Sequence, residues 1–387
     1  MKKVFYATLA LGALILASCQ KENSAVLPKV DSPVFTAHID GGDTKTVLNG
    51  KKSEWVSGDA IRVLNGTNTT GCDAIYKTTE GGATATFTTE VESYTGTQFI
   101  AVYPGTKSTD AWWNASADKK VNKLWLKPQQ TATVNGYDPD AHIAVAYSNT
   151  KSLDFLNAVS LLKFTCGSDN VTEVCVYANS PKNAAESKDV MSGNFDFDTE
   201  GKVSTPASYA GSEYVYNYVK ITGNLVKGTT YYIACLPTTF TKGFTVEVVS
   251  NGIKGDNKTT AKNYELSRNK ILNLGEIGYK KTLYLEPNAD WLSESAWFAV
   301  YFFNKGTGEN EWLKMEKVDG TNYYKVAVTD EMVAKYPNLI FCRMNPGKTD
   351  LSWESKWSQT GDLAMPKTDN YFTITSWGDG TWSYLSK

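Results

Sequence analysis

The sequence predicts an all-β protein, and three observations support that prediction. Short runs of β-branched and aromatic residues recur along the chain, and Gly, Asn, Asp and Pro residues typical of turns separate them at short intervals. Helical periodicity is scarce, and residues 330–336 are the best short candidate for a helix. The long helical crossovers that large α/β catalytic domains need are missing from this pattern. Short strands with regular turns are typical of β-sandwiches.

The strand-like runs are spread over most of the chain. In chain order they cover 34–39, 44–48, 54–56, 60–64, 83–88, 99–104, 160–165, 172–177, 214–221, 230–236 and 244–249. Asn49-Gly50, between the second and third runs, is a strong signal for a hairpin turn. The chain has 387 residues, which suggests two or three domains.

Charge and histidine content exclude several classes of function. Lys and Arg number 39 against 41 Asp and Glu, and the pI is about 5.9, so the strongly basic surface of a nucleic-acid binder is absent. The only histidines are His38 and His142, which rules out a His-rich zinc site and leaves two candidates for a catalytic triad. We therefore expect no catalytic residues, no metal and no cofactor.

The N-terminus has the form of a secretion signal. Met1-Lys2-Lys3 precedes an apolar run over 4–17, which is too short to span a membrane. The following Leu16-Ala17-Ser18-Cys19 resembles the lipobox of bacterial lipoproteins, which implies a signal peptide over 1–18, lipidation of Cys19 and a tether over 19–32. On this resemblance the lipid would be the only membrane anchor, at the outer membrane and cell surface. The alternative is an ordinary secretory signal with an incidental cysteine.

The other cysteines do not form a recognisable framework. Cys72, Cys166, Cys175, Cys235 and Cys342 are odd in number, so they cannot all pair within one chain. The last four lie in strand-like apolar runs. The sequence therefore favours buried thiols that act as small hydrophobic side chains over disulfides or a nucleophile.

Four stretches resemble the fimbrillin-like (Mfa-like) family of bacterial surface lipoproteins over residues 33–280. They are Thr44–Leu48 with Trp55–Ile61; Ala101–Pro104; Leu153–Val159 leading into Leu162–Phe164; and Tyr231–Pro237 with Asn269–Gly275. The resemblance implies two transthyretin-like β-sandwich subdomains, 33–150 and 151–280. It also implies other pilus subunits as partners.

Two local motifs have a structural and a functional interpretation. In the segment from Trp55 to Asp59, a buried Trp, a Gly with unusual φ and an Asp bonded to nearby backbone explain the pattern without a binding role. The segment 196–201 is superficially similar to a calcium loop. Its twelfth position is Ala207 instead of the bidentate Glu, which favours a hairpin turn.

The last part of the chain is richer in aromatic residues. We place a boundary near 279–281. Residues 282–387 hold 19 of the 48 aromatic side chains, more than a domain of this size can bury. Aromatic rings beside polar side chains in a small β domain are typical of sugar-binding modules, although any single ring is more often part of the core.

Alternation along 297–303 separates the rings of one strand. Phe298, Val300 and Phe302 share a face that we expect in the core. The opposite face carries Trp297, Ala299, Tyr301 and Phe303 and could be a platform for a ligand. The candidate sugar-binding residues are Tyr301, Phe303, Trp312, Trp353, Trp357 and Gln359. The pattern of Tyr284-Leu285-x-Pro287, Trp291, the Tyr301 strand, Trp312, the 340–343 run and Trp353 resembles starch-binding modules of bacterial amylases, which implies an α-glucan as the partner.

Three functions fit this sequence. The first is a lipid-anchored adhesin that binds a glycan or a host surface through its C-terminal module, with no enzymatic activity. The second is a structural or accessory pilus subunit assembled by strand exchange. The departures from that pattern are the first Arg, Arg62, inside a predicted strand, and the extra C-terminal domain. The third is a glycoside hydrolase with two carboxylates, for which no catalytic domain is recognisable.

Overall fold

The computed structural model describes residues 33–39, 54–65, 73–91, 96–107, 110–115, 119–183, 186, 188–209, 211 and 213–385. Cys19, the predicted lipidation site, and Cys72 lie outside these ranges, as do residues 44–53 of the predicted hairpin. The described residues, from 33 onward, form one compact unit. The predicted all-β sandwich class is confirmed, since almost every described element is a strand.

The described residues of the N-terminal part form ten strands. They are β1 (Phe35–Ile39), β2 (Ala60–Asn65), β3 (Ala74–Lys77), β4 (Thr84–Phe87), β5 (Phe99–Tyr103), β6 (Trp112–Asn114), β7 (Lys120–Leu126), β8 (Gln129–Thr131), β9 (Ala144–Ser148) and β10 (Ser152–Asn157). Seven of them form one sheet in the order β3-β2-β5-β9-β10-β1-β4. Paired backbone bonds between Lys77 and Thr88 link the two edges, so the sheet curls around an inner core.

The segment at Trp55 belongs to that inner core. Trp55 is buried, its Nε1 donates to the carbonyl of Ala37 at 2.9 Å, and its ring meets Phe87 edge-on. Gly58 has φ +96°, a conformation that L side chains rarely adopt. An Asp59 carboxylate oxygen accepts from the backbone N–H of Val56 at 2.9 Å. The structural interpretation of this motif is confirmed.

The middle part contains thirteen strands. They are β11 (Ser160–Cys166), β12 (Val171–Ala178), β13 (Ser192–Asp198), β14 (Val203–Ser204), β15 (Val215–Tyr216), β16 (Tyr218–Leu225), β17 (Thr230–Cys235), β18 (Thr238–Phe240), β19 (Phe244–Ser250), β20 (Ile253–Lys254), β21 (Lys258–Thr260), β22 (Tyr264–Leu266) and β23 (Ile271–Ile277). The sheet β17-β11-β23 and the sheet β20-β19-β12-β16-β8 share one apolar core. The segment at Asp196 is the β13–β14 hairpin, as predicted.

Strand pairing crosses residue 150 in both directions. Strand β10 completes the N-terminal sheet, whereas β8 pairs with β16 and β7 pairs with β13. A second apolar core lies between the N-terminal sheet and the sheet β14-β13-β7-β6, with residues from both sides of 150. The boundaries 33–150, 151–280 and 282–387 stay predictions, and the two parts share these strands.

The C-terminal part contains ten strands and two short helices. The strands are β24 (Lys281–Glu286), β25 (Trp297–Phe303), β26 (Asn310–Lys314), β27 (Glu316–Lys317), β28 (Tyr324–Val328), β29 (Asn338–Met344), β30 (Lys356–Gln359), β31 (Leu363–Ala364), β32 (Tyr371–Ile374) and β33 (Gly380–Ser383), and the helices are α1 (Ala289–Leu292) and α2 (Asp330–Lys335). Helix α2 lies where the sequence predicts it, with the Thr329 hydroxyl capping its first turn. Within the described ranges, no helix has the length and apolar character needed to span a bilayer.

The C-terminal part is a sandwich that packs against the middle one. Its sheets are β27-β28-β24-β32-β33 and β26-β25-β29-β30, and their core is continuous with that of the middle sandwich. At the junction, the ammonium of buried Lys281 donates to the carbonyls of Lys254 and Asp369, each at 3.0 Å. The predicted boundary near residue 281 therefore coincides with the start of β24, where hydrogen bonds tie the two sandwiches together.

Candidate functional site

Strand β25 presents different residues on its two faces. Phe298, Val300 and Phe302 are fully buried in the sandwich core. Tyr301 and Phe303 are only partly buried and lie on the opposite face of the sheet. The alternation predicted for this strand is confirmed, and it leaves a row of rings outside the core.

Four rings meet on that outer face, and we call them the outer aromatic cluster: Tyr301, Phe303, Trp312 and Trp353. Trp312 lies directly across from Tyr301 on β26, with ring centroids 4.9 Å apart. Trp353 contacts both Tyr301, at 4.7 Å, and Trp312, at 4.8 Å. Phe303 continues the row at 5.5 Å from Tyr301. The structure thus brings together four of the six predicted residues.

Small and aliphatic side chains form the floor beneath the cluster. Ala299, Ile340, Cys342 and Met344 are buried there, separate from the main core. Burial raises the pKa of the Cys342 thiol to about 12, so the group is a neutral thiol at physiological pH. The rings therefore have one side on an apolar floor and another toward solvent.

The rings of the cluster stand at different angles to one another. Tyr301 and Phe303 are nearly parallel, with an interplanar angle of 18°. Trp312 is tilted by 51° from Tyr301, and Trp353 stands at 64° to Tyr301 and 71° to Trp312. Such edge-to-face contacts are favoured by aromatic quadrupoles and add about 0.5–1.5 kcal/mol per pair. The rings hold one another at fixed angles.

The loop that carries Trp353 is held by hydrogen bonds. The Trp297 Nε1 donates to the carbonyls of Asn345, at 2.9 Å, and Lys348, at 3.0 Å. The hydroxyls of Ser352 and Ser355 both donate to Asp350, each at 2.7 Å. Trp353 itself is 40% exposed despite its two ring contacts. Trp297 lies on the outer face of β25, as the alternation predicts, and its pairing with Met344 places its indole N–H against this loop.

Two predicted residues lie apart from the cluster. Trp357 sits over the guanidinium of Arg343, 4.7 Å from the ring centroid. The buried Arg343 donates to the carbonyls of Trp291 and Ser293, so it belongs to the inner side of the sheet. Gln359 is paired with Cys342 on β29 and thus shares the outer face of the sheet. The register between β29 and β30 is irregular between Arg343 and Met344. Trp357 falls at this irregularity and therefore does not follow the alternation of faces along β30.

Lysines approach two of the rings. The Lys356 ammonium lies 5.7 Å from the centroid of Trp353, and that of Lys305 lies 5.9 Å from Phe303. Cation–π contacts at exposed sites contribute about 0.5–1 kcal/mol. Because lysine side chains are long and flexible, a ligand that stacks on these rings would displace the two ammonium groups or accept hydrogen bonds from them.

The described histidine and cysteine side chains have structural surroundings. His142 lies between the rings of Tyr103 and Tyr137, at 5.4 and 5.5 Å, and desolvation lowers its pKa to about 4. Cys166, Cys235 and Cys342 are free and buried, Cys175 is partly buried, and burial raises the pKa of all four thiols. The prediction of buried thiols is confirmed for the first three. Among the described residues there is no group of metal-ligating side chains.

No protein-family model matches the sequence, and no curated protein matches it. Matches among solved structures include a candidate cell adhesion protein of Bacteroides ovatus, at 14% identity and TM-score 0.34, covering 62% of this chain and 91% of that one. A candidate polysaccharide-binding protein of Bacteroides thetaiotaomicron gives 7% identity and TM-score 0.25, covering 61% and 80%. These two descriptions are of adhesion and polysaccharide-binding proteins, and neither is of an enzyme. Because the identities and TM-scores are low, we base function on the side chains of this chain alone.

Proposed function

We propose that this protein is a non-enzymatic, lipid-anchored surface protein that binds a glycan through the outer aromatic cluster. The observation that carries the proposal is the placement of four rings on the solvent side of the sheet β26-β25-β29-β30. Such rings stack on the apolar C–H faces of pyranose sugars, while amides and hydroxyls bond the sugar hydroxyls. Gln359 supplies an amide on the same face of the sheet.

The angles between the rings favour a curved glycan over a flat one. A flat chain such as cellulose suits rings in one plane, whereas the rings of Trp312 and Trp353 stand at 71° to each other. An α-glucan coils and so presents sugar faces at changing angles. We therefore propose α-glucans, with starch as the test ligand, as the ligand class.

The anchor in this proposal is the lipid on Cys19. The lipobox resemblance and the apolar run before it support export and lipidation, with the outer membrane and cell surface as the location. Replacing Cys19 with Ser should abolish lipid labelling and release the protein from membranes. Continued labelling of that variant would contradict the anchor.

A second candidate function, a pilus subunit, has one observation in its favour. Strand β1 lies between β10 and β4, and Phe35 and Ala37 on it point into the inner core. Removal of β1 would leave two unpaired strand edges and an apolar groove, which a neighbour's strand could fill. Ladders on an undenatured gel of surface material would support this function, and their absence would count against it.

The test of glycan binding uses the chain from residue 20, which lacks the signal peptide and the proposed lipidation site Cys19, and three variants, Tyr301→Ala, Trp312→Ala and Trp353→Ala. Binding to soluble starch and to unrelated glycans is measured together with thermal unfolding. Each lost ring should weaken binding by about 1–3 kcal/mol, taking stacking on nucleobases as a guide. That corresponds to roughly five- to a hundred-fold in affinity. Trp353→Ala should reduce the free energy of unfolding by about 1–3 kcal/mol through its two lost ring contacts, which is less than the loss expected for a fully buried ring.

Trp357→Ala is the matched control. It also removes an exposed tryptophan close by in the chain, on β30, but that ring covers Arg343 and lies outside the cluster. We expect unchanged starch binding for this variant. Equal loss of binding in Trp353→Ala and Trp357→Ala, or no glycan binding by the parent chain, would overturn the proposal. Hydrolysis of the glycan by pure protein would instead support the glycoside hydrolase alternative.

A further inference from the structure

A cleft lined by residues of both the N-terminal and the middle parts of the chain has the chemistry of a second ligand site. It lies on the outer face of the sheet β14-β13-β7-β6 and has a volume of about 610 Å³. The other face of that sheet packs into the second apolar core through residues such as Val121, Leu124 and Phe195. The cleft is far in sequence from the outer aromatic cluster and shares no residue with it.

Asn122 is the feature of this cleft that needs a ligand. Its side chain is only 5% exposed, it lines the cleft, and its Nδ2 has no hydrogen-bond partner. A buried donor without an acceptor is costly, by about 1–3 kcal/mol, and is rare in folded proteins. The Nδ2 atom is itself covered by its surroundings. A small rotation of the side chain toward the cleft would bring it to a hydroxyl oxygen of a bound ligand, which would satisfy this group.

Two exposed aromatic rings flank the cleft. Trp112 is paired directly with Asn122 across β6 and β7, so both side chains lie on the same face of the sheet. Trp112 is 43% exposed and Tyr214 is 44% exposed, although each lines the cleft. Large exposed aromatic side chains beside a concave polar surface are typical of a site for an amphipathic ligand.

The charges of the cleft favour a neutral ligand. Asp110 and Asp196 are matched by Lys120 and Lys123 among the lining residues. The buried Asp196 forms an ion pair with Lys120 at 3.0 Å and accepts from the Tyr209 hydroxyl at 3.0 Å. With these charges already balanced, an ionic ligand would gain no net attraction and would lose hydration.

We propose that this cleft binds a neutral carbohydrate, with the Asn122 amide donating to a sugar hydroxyl and the Trp112 ring stacking on a sugar face. The ligand class follows from the combination of an unsatisfied amide donor, flanking rings and balanced charge. This inference is independent of the C-terminal cluster, because no residue of that cluster is used. It would give the chain two separate glycan contacts, which increases avidity for a polymer that reaches both.

The test uses the mature chain labelled with ¹⁵N-asparagine and observes side-chain amide resonances. The probes are methyl glycosides of glucose, mannose and galactose, with glycerol as a control polyol without a ring and glucuronate as a charged sugar. At least one neutral glycoside should shift the Asn122 amide resonances with saturation. Glycerol and glucuronate should not shift them.

Three variants separate this site from other binding. Trp112→Ala should weaken the responding glycoside about tenfold or more by loss of stacking. Asn122→Leu should weaken it about five- to tenfold, as judged from the Asn194 amide in the same cleft. Its unfolding midpoint should not fall, because the amide donor has no partner to lose. Trp125→Ala is the matched control, since Trp125 is an exposed tryptophan of β7 that does not line the cleft.

Several results would overturn the inference. They are no shift of Asn122 with any neutral glycoside, a shift that survives both Trp112→Ala and Asn122→Leu, a preference for glucuronate, or a clear loss of stability in Asn122→Leu. Trp353→Ala should leave the Asn122 shift unchanged. A failure here with retained starch binding at the C-terminal cluster would leave the proposed function standing.

Discussion

The two faces of strand β25 carry rings with different roles. The rings on the inner face stabilise the fold, whereas those on the outer face are held at its surface by the sheet. Phe302 and Phe303 are neighbours of the same residue type on the same strand. Phe302 is fully buried between two sheets, whereas Phe303 is partly exposed above a thin apolar floor. Because of this difference, the outer rings can be substituted while the packing of the core stays intact. A binding surface needs this arrangement.

The largest expected effect is on stability and comes from the inner face. Phe302→Ala removes a buried ring and leaves a cavity, so it should reduce the free energy of unfolding by about 3–5 kcal/mol. Phe303→Ala is the matched control and should cost less than about 1 kcal/mol. Denaturant unfolding of both variants measures the difference. Similar losses for the two substitutions would show that the outer face is a second structural core.

The next effect comes from the loop that carries Trp353, which can be loosened without removing a ring of the cluster. Trp297→Phe keeps a ring but removes the N–H that donates to the carbonyls of Asn345 and Lys348. At about 0.5–1.5 kcal/mol per hydrogen bond, the variant should lose roughly 1–3 kcal/mol of stability. Because this loop carries Trp353, starch binding should weaken as well. Unchanged binding, measured by calorimetry, would show that the loop does not position the ring.

The smallest effect concerns the thiol beneath the cluster. Cys342 has its pKa raised to about 12 by burial, so at pH 8 it should react slowly with an alkylating reagent. Trp312→Ala removes part of the roof and should speed alkylation of Cys342 severalfold. Cys235 in the main core should stay unreactive in both proteins. Mass spectrometry of the labelled peptides checks this, in a chain with Cys72 replaced by Ser.

The same alkylation experiment has outcomes that would contradict the prediction for Cys342. Raising the pH should increase the rate for Cys342 toward its raised pKa, since only the thiolate reacts. Fast alkylation of Cys342 in the parent protein at pH 8 would show that the rings do not cover the floor. Equal acceleration of Cys235 would point to general loosening of the sandwich and not to a local opening.

Local patterns in the sequence predicted local features of the structure. The alternation of β25, the helix beginning at Asp330, the hairpin at Asp196 and the buried Trp55 each depend on residues close together in the chain. Four of the six candidate sugar-binding residues also meet as one cluster. Their selection needed only strand periodicity and the density of aromatic residues.

Other features depend on pairing between distant strands, which no local pattern encodes. Trp357 lies outside the cluster because the pairing of β29 with β30 has a register irregularity beside Met344. Asn122 is buried because β7 lies between β6 and β13, and nothing in its neighbouring residues marks it as unusual. The crossing of residue 150 by β8 and β10 has the same origin. Register and burial emerge only when the sheets assemble.

The most direct test of glycan binding by the outer aromatic cluster is ¹⁹F NMR of the mature chain labelled with 5-fluorotryptophan. Resonances are assigned by single Trp→Phe variants, and soluble maltodextrin is titrated into the protein. We predict that Trp312 and Trp353 shift together with one dissociation constant, while Trp357 over Arg343 and the buried Trp291 do not shift. Binding of the glycan without any shift of Trp312 and Trp353, or no binding at all, would contradict the account.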